Sequence, residues 1–405
     1  MIRISFRTFI LCVALGVTTL LYQFQSVRGA SKSRRNRISI ISDEPPPLEE
    51  EVETPVPVKY DLNEAVHAFY YPWYASADVD GQWSHWNHPV LPHWIARVNA
   101  QYPIGKVHQP PDDIGSTYYP FLGPYSSADP KIIDQHLKWA AEAGIGTLVV
   151  SYFAKGRTDD NGIPFEHVVR LLLERAQPFG IKIAFHMEPY NGRTAFSVAD
   201  DIRSTVKEYS KHPSAAKVDG KLVFYLYDSY QVNSAEWARV IPSLSKTAYT
   251  IGLLVEFGHI EHIIASQFSA AYSYFAALDF SFGCTPKNWR RIVSVLTRNN
   301  VDFIPSVGPG YDDTSIRPWN KQNSKSRAEG EYYTKYWDSA LELRPKIISI
   351  TSFNEWHEGT QIEPAVEKRI PGERAFGSST YPSYSDPFQY LQITARYSLI
   401  FSKQQ

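Results

Sequence analysis

Cysteine is nearly absent from this chain: among 405 residues only Cys12 and Cys284 occur. Cys12 falls in an apolar N-terminal run, so no disulfide framework and no cysteine metal site can be built in the rest. A chain this long buries enough core to need no covalent staples, so an oxidising compartment stays open to it. An excess of either charge is absent too: 41 basic against 42 acidic residues leave a formal net charge of -1, which provides no bulk field toward nucleic acid. No Asn-x-Ser/Thr sequon occurs, so glycosylation says nothing about topology. No glycine-rich phosphate loop follows the first strand-like run, which weakens nucleotide binding. Neither HExxH nor GxSxG appears, which weakens zinc and serine hydrolase chemistry. His186, Glu188, His259, His262 and His357 keep a metal reading open, but no two-histidine helical spacing sits convincingly beside a strand-end acid. No metal and no cofactor is expected.

One long apolar run is present. The 17 residues 8–24 carry no charge and follow Arg3 and Arg7. They read as a signal anchor behind a cytoplasmic tail (1–7), short for a spanning helix but long for a signal-peptide core. Arg28, Lys32, Arg34, Arg35 and Arg37 argue against clean processing. A stretch rich in Pro and Glu, EPPPLEEEVETPVPV, then reads as part of a disordered stem over 25–60.

From residue 61 onward one rhythm recurs: a β-branched and aromatic run, a polar turn, an amphipathic stretch. Eight strands are expected at 66–74, 147–154, 182–190, 221–230, 249–257, 270–278, 303–311 and 347–356. Helices are expected at 130–143, 165–176, 197–209, 235–244, 286–298, 331–343 and 387–401, with a shorter one near 259–265. Eight such units over residues 61–405 point to an α/β fold, a single (β/α)8 TIM-type barrel with long loops at its C-terminal face. The connection 75–146 is unusually long for a structureless link, as befits a loop that builds a site.

Aromatic residues make up 14% of the chain; many of them must fill the core, yet they recur at the C-terminal strand ends, where such barrels place their chemistry. The first strand ends in YYPWY, the third in HMEPY, the fourth in YLYDSY, and the eighth in FNEWHEG. Glu355 and Glu358 bracket Trp356 and His357 in that last motif. Glycoside hydrolysis needs two carboxyl groups, one to protonate the departing oxygen and one as base or nucleophile. Glu358 serves as the acid only if apolar neighbours such as Trp356 raise its pKa. The plainer reading, a glutamate that caps a turn or pairs with an arginine, stays open on spacing alone.

With HAFYYPWY, residues 110–127, AFHMEPY, FYLYDSY, residues 304–320 and SITSFNEWHEGTQIEPA in hand, the chain resembles glycoside hydrolase family 99, a family of endo-acting α-1,2-mannosidases. That resemblance implies retaining cleavage inside the glucosylated mannose arm of a high-mannose N-glycan, with release of a glucosyl-mannose disaccharide through a 1,2-anhydro sugar. Glu355 matches the base that takes the 2-hydroxyl proton, and Glu358 the acid that protonates the leaving oxygen and later activates water. Tyr70, Tyr71, His186, Tyr227, Arg317, Asn320 and Asn354 match sugar-contacting positions. Phe153 stands where relatives often carry Tyr or Trp, so contacts to the distal glucose are expected to differ. For the leaving-group mannose the stretch 112–119, Trp83 and Trp86 are candidates. The resemblance also implies a single-pass type II protein of the Golgi membrane with its catalytic domain in the lumen. A lectin-like barrel without turnover is the competing expectation.

Overall fold

The computed structural model describes residues 60–405, apart from position 160. The expected tail, anchor and stem therefore lie outside the described residues, save for position 60. Among the described residues no helix is long and apolar enough to cross a membrane.

Parallel strands form the centre. They are β1 (Asn63–Tyr70), β2 (Ile145–Tyr152), β3 (Lys182–Met187), β4 (Lys221–Leu226), β5 (Ala248–Leu253), β6 (Ala270–Tyr272), β7 in two pieces (Asp302–Ile304 and Ser306–Val307) and β8 (Ile348–Ile350). Each pairs in parallel with the next; β1 also pairs with β8, Val66 opposite Ile348. The first piece of β7 pairs with β6 and the second with β8. The two open ends of the sheet path are thus successive pieces of one strand, interrupted at Pro305. Proline has no N–H to give the ladder, but its carbonyl still accepts from Ser349 N–H at 3.1 Å. The result is a nearly closed barrel in the (β/α)8 manner.

Among the described residues eight helices of eight or more residues follow the strands: α1 (Pro130–Glu142), α2 (Glu166–Ala176), α3 (Ala195–Tyr209), α4 (Ser234–Leu244), α5 (His259–Ser266), α6 (Pro286–Thr297), α7 (Glu331–Leu341) and α8 (Gln389–Ser402). Their starts have local causes. The Asp129 carboxylate accepts from Lys131 N–H at 2.9 Å, with Pro130 in the first turn. Asn233 accepts from Ala235 N–H at 2.8 Å. Helix α3 begins at Ala195 rather than 197, because Thr194 and Ser197 satisfy each other's backbone N–H groups.

Barrel strands covered on both faces carry near-continuous apolar runs, and all eight residues of β2 are buried. Inside the barrel Phe69 meets Tyr225, Tyr272 and His186, and His67 shares a 2.8 Å hydrogen bond with Tyr225 Oη. Burial lowers the His67 pKa to about 3, so this ring is neutral. Above the barrel the connection between β1 and β2 is held to the segment after β8: Tyr119 and Pro120 pair antiparallel with Val366 and Ala365.

Candidate active site

The β8 loop is folded tightly on itself. Ser352 N–H donates to Thr360 O at 2.9 Å, and Ile362 N–H returns to Ser352 O at 2.9 Å. Ser352 Oγ also accepts from Glu355 N–H at 2.7 Å. Between these ties sits the Glu355-Trp356-His357-Glu358 turn. Fully buried Trp356 anchors it from below by donating its indole N–H to Glu363 Oε2 at 2.9 Å. Glu363 accepts from Tyr125 Oη at 2.8 Å and shares a 3.2 Å hydrogen bond with His136. A buried carboxylate needs such partners, and here they fix the indole that separates the two glutamates.

Glu355 keeps 3% of its surface exposed, while Glu358 is partly open. Burial, and then the charge of Glu358, push the Glu355 carboxyl well above its ordinary range, against the pull of His357 N–H and Arg317. Burial likewise raises Glu358, to about 7, with Arg317 opposing and Asp313 adding to it. The two carboxyls lie within each other's field, so they titrate as a pair rather than singly.

Around the pair the strand ends converge as expected for some residues and not for others. Tyr71 and Tyr274 share a short hydroxyl–hydroxyl hydrogen bond. Burial and the charges of Glu355, Glu188 and Glu358 keep the Tyr71 phenol protonated. Asn354 clamps the end of β1 by accepting from Tyr71 N–H at 2.7 Å and donating to Tyr71 O at 3.0 Å. His186 shares a 2.9 Å hydrogen bond with Tyr272 Oη and packs its ring against Tyr274 and Tyr227. Because burial lowers its pKa to about 3, its 3.5 Å approach to Glu188 is a contact of a neutral ring, not an ion pair. Arg317 lies 3.3 Å from Asp313 Oδ2 and acts on the charge of Glu358. Asn320 donates to both oxygens of Asp313, at 3.1 and 2.9 Å, and so steadies the partner of Arg317.

Tyr70 is not brought to the pair. Successive strand residues face opposite ways: Phe69 enters the barrel, and Tyr70 turns to α1, where its hydroxyl shares a 3.0 Å hydrogen bond with His136. Phe153 packs edge-on against Phe165. Trp86 is fully buried, stacked on Tyr74 at 4.2 Å, with its N–H given to Tyr125 O at 2.7 Å. It is core, not a sugar platform, whereas Trp83 is half-exposed.

Three groups beside the pair were not singled out for sugar contact from sequence. Glu188 and Tyr274 stand in the strand-end motifs of β3 and β6, so the strand-end rule held their signal; Tyr274 adopts a left-handed backbone, φ 53°. Asp313 lies within the 304–320 stretch, whose Arg317 and Asn320 were singled out, but no local pattern there distinguishes it from the neighbouring Asp312. Among the described residues no group of three or more His, Cys, Asp or Glu side chains is placed to hold a metal ion.

The family model described as glycosyl hydrolase family 99 matches residues 61–403. A human glycoprotein endo-alpha-1,2-mannosidase-like protein is 43% identical over 354 residues, covering 84% of this chain and 76% of that protein. A mouse glycoprotein endo-alpha-1,2-mannosidase is 43% identical over 358 residues, covering 85% and 76%. In three dimensions the chain is similar to a GH99 endo-alpha-mannosidase from Bacteroides thetaiotaomicron, with TM-score 0.76, 37% identity, and coverage of 85% of this chain and 99% of that one.

Proposed function

The chain belongs to glycosyl hydrolase family 99, and from that premise we propose that this glycoside hydrolase cleaves an internal α-1,2-mannosidic bond in glucosylated high-mannose N-glycans. The observation that carries the reading is the pair Glu355 and Glu358 on one short turn, each with its pKa raised by burial and the two within each other's field.

In an α-mannoside the axial 2-hydroxyl lies opposite the leaving group, placed for in-line displacement at the anomeric carbon. No nucleophile from the protein is needed. Glu355, ionised, takes the 2-hydroxyl proton while that oxygen bonds to C1; the C1–O bond to the leaving mannose breaks, and Glu358 gives its proton to the departing oxygen. A 1,2-anhydro sugar results. Water then opens it at C1, Glu358 takes the water's proton, and Glu355 returns its own to O2. Two inversions give retention and release glucosyl-mannose.

Burial raises both carboxyls, and their mutual field disfavours two negative charges side by side, so the pair holds on to a proton. A bound substrate decides where that proton sits: a 2-hydroxyl donating to Glu355 stabilises its anion, and a glycosidic oxygen accepting from Glu358 stabilises its acid. Tyr71, His186, Tyr227 and Arg317 surround the sugar in this reading, with Asn354 and Asn320 holding them; Tyr70 serves the scaffold. The substrate requires a secretory location, and we place the enzyme in the Golgi membrane, type II, anchored by residues 8–24 ahead of the stem, with the catalytic domain (61–405) in the lumen.

The test is digestion of a monoglucosylated high-mannose glycan by residues 60–405, with product masses recorded. A released disaccharide is expected. Tight glycan binding with no product would instead establish a lectin-like barrel.

A further inference from the structure

Arg327 is 7% exposed, and among the described residues its hydrogen bonds go to backbone carbonyls rather than to a carboxylate. Its guanidinium instead lies among three aromatic faces, 4.7 Å from the Tyr118 ring, 4.8 Å from Tyr384 and 4.6 Å from Tyr390. A buried cation is costly, and ring faces offset part of that cost. What this arginine does with its charge is specific: Nη2 donates to Gly359 O and to Gln361 O, each at 2.8 Å. Those carbonyls lie one and three residues beyond Glu358.

The same loop grips the turn from the other side. Asp312 N–H donates to Glu358 O at 2.8 Å. Gly359 has φ +61°, and a Cβ there would come within 2.7 Å of Asp312 O, so turn and loop are in close backbone contact. Tyr311 and Lys325 exchange backbone hydrogen bonds of 3.1 and 2.8 Å, which bring the two ends of the loop, and so Asp312 and Arg327, to one place. Arg327 is further enclosed by Gly310, where a Cβ would meet Arg327 Cγ at 2.8 Å. The backbone of Glu358 is thereby held at its own carbonyl and at the next one, which leaves its side-chain torsions as the free variables.

The geometry points to Arg327 as a positioning residue for the acid step: its guanidinium, seated among Tyr118, Tyr384 and Tyr390, locks the Glu358–Gln361 backbone so that the Glu358 carboxyl meets the departing oxygen. This rests on the role proposed above for Glu358. Arg317 and Arg327 then divide the work, one acting on the charge of the acid and the other on its place. Lysine cannot substitute, because its ammonium is one bond shorter in reach than Nη2 and is not a flat group that can lie among the Tyr118, Tyr384 and Tyr390 rings.

The experiment compares Arg327→Lys with the unaltered chain on two substrates of the same disaccharide, one with mannose and one with fluoride as the leaving group. Fluoride departs with little protonic help. A small displacement of a reacting group costs on the order of 100-fold in rate, so kcat for the mannose leaving group should fall by about that factor, with KM and fluoride release little changed. Equal losses on both substrates, or losses that only track the folded fraction by thermal melting, would overturn the assignment. Should Arg327→Lys fail to fold, Tyr118→Leu removes one wall and decides in its place: the same split, smaller, is expected, and its absence counts against the proposal. Glu358→Gln runs in parallel. If it shows no leaving-group dependence, the acid role itself is wrong; if it shows the split and the Arg327 and Tyr118 variants do not, only the positioning role falls.

Discussion

Glu358 and Glu355 sit three positions apart on one turn and are both raised by burial, so the different work proposed for them has to be separated by experiment. Replacing either removes a proton-transfer partner, a loss of roughly 10²–10⁴-fold. For Glu358→Gln that loss should appear with mannose as leaving group and shrink with fluoride; for Glu355→Gln it should appear with both, since on the proposed route the 2-hydroxyl is deprotonated whatever departs. Measured kcat/KM on the two substrates checks this, and a Glu355 variant active on the fluoride would exclude the assigned base. The pKa direction adds a second expectation. Glu358 is raised from 4.5 to about 7, so activity should fall as pH rises through about 7, where the acid loses its proton. Stability follows the same sign: a carboxyl with a raised folded pKa favours the fold below its unfolded value and loses that contribution as pH climbs to the folded one. The melting temperature of the native chain should therefore drop relative to Glu358→Gln between about pH 4.5 and about 7, a window set by the raised value. Parallel curves would mean that Glu358 titrates normally.

Strands and helices were legible for a physical reason: each barrel strand is an apolar run closed by polar turns, and four of the eight helices α1–α8 carry a side-chain cap or an N-terminal proline. The errors are equally physical. The first strand, expected over 66–74, stops as a ladder at Tyr70, and the eighth, expected to 356, stops at Ile350. The apolar pattern continues past both because FNEW and, apart from half-buried Trp73, YPWY are themselves buried, as loops lining the candidate site. Period alone cannot separate a buried strand from a buried functional loop. Tyr70 shows the same ambiguity at finer grain: the YY pair was visible, but which member faces inward depends on register. Arg327 left no mark in sequence, since its partners are backbone carbonyls and rings brought from residues 118, 384 and 390. Tight element contacts also yield a prediction. Gly308, just past β7, has no room for a side chain: a Cβ would lie 2.3 Å from Ala276 Cβ and 2.5 Å from Thr351 O. Gly308→Ala should destabilise by about 1–3 kcal/mol through overpacking, read as a lower urea midpoint at unchanged slope.

Closure governs the molecule as a whole. β7 joins the two ends of the sheet path, and α8 returns the C-terminus to where the barrel begins: Asn63 Nδ2 donates to Ser402 Oγ at 2.9 Å and Ser398 Oγ to Gly144 O at 2.8 Å. Tyr390, from the first turn of the same helix, is a wall of the Arg327 seat. The last helix thus supports both the first strands and the turn that bears the two glutamates. Opposite outcomes are expected from shortening the chain at its two ends. Residues 60–405 alone should melt cooperatively and cleave glycan, because the barrel unit carries its own core. A chain ending at Asp386 should not, because it exposes the faces of α1 and β1 that α8 covers and removes one ring from Arg327. Circular dichroism melts and the glycan digestion read both. A cooperative, active chain ending at Asp386 would show that the barrel closes without α8, and would place the support of the Glu358 turn elsewhere.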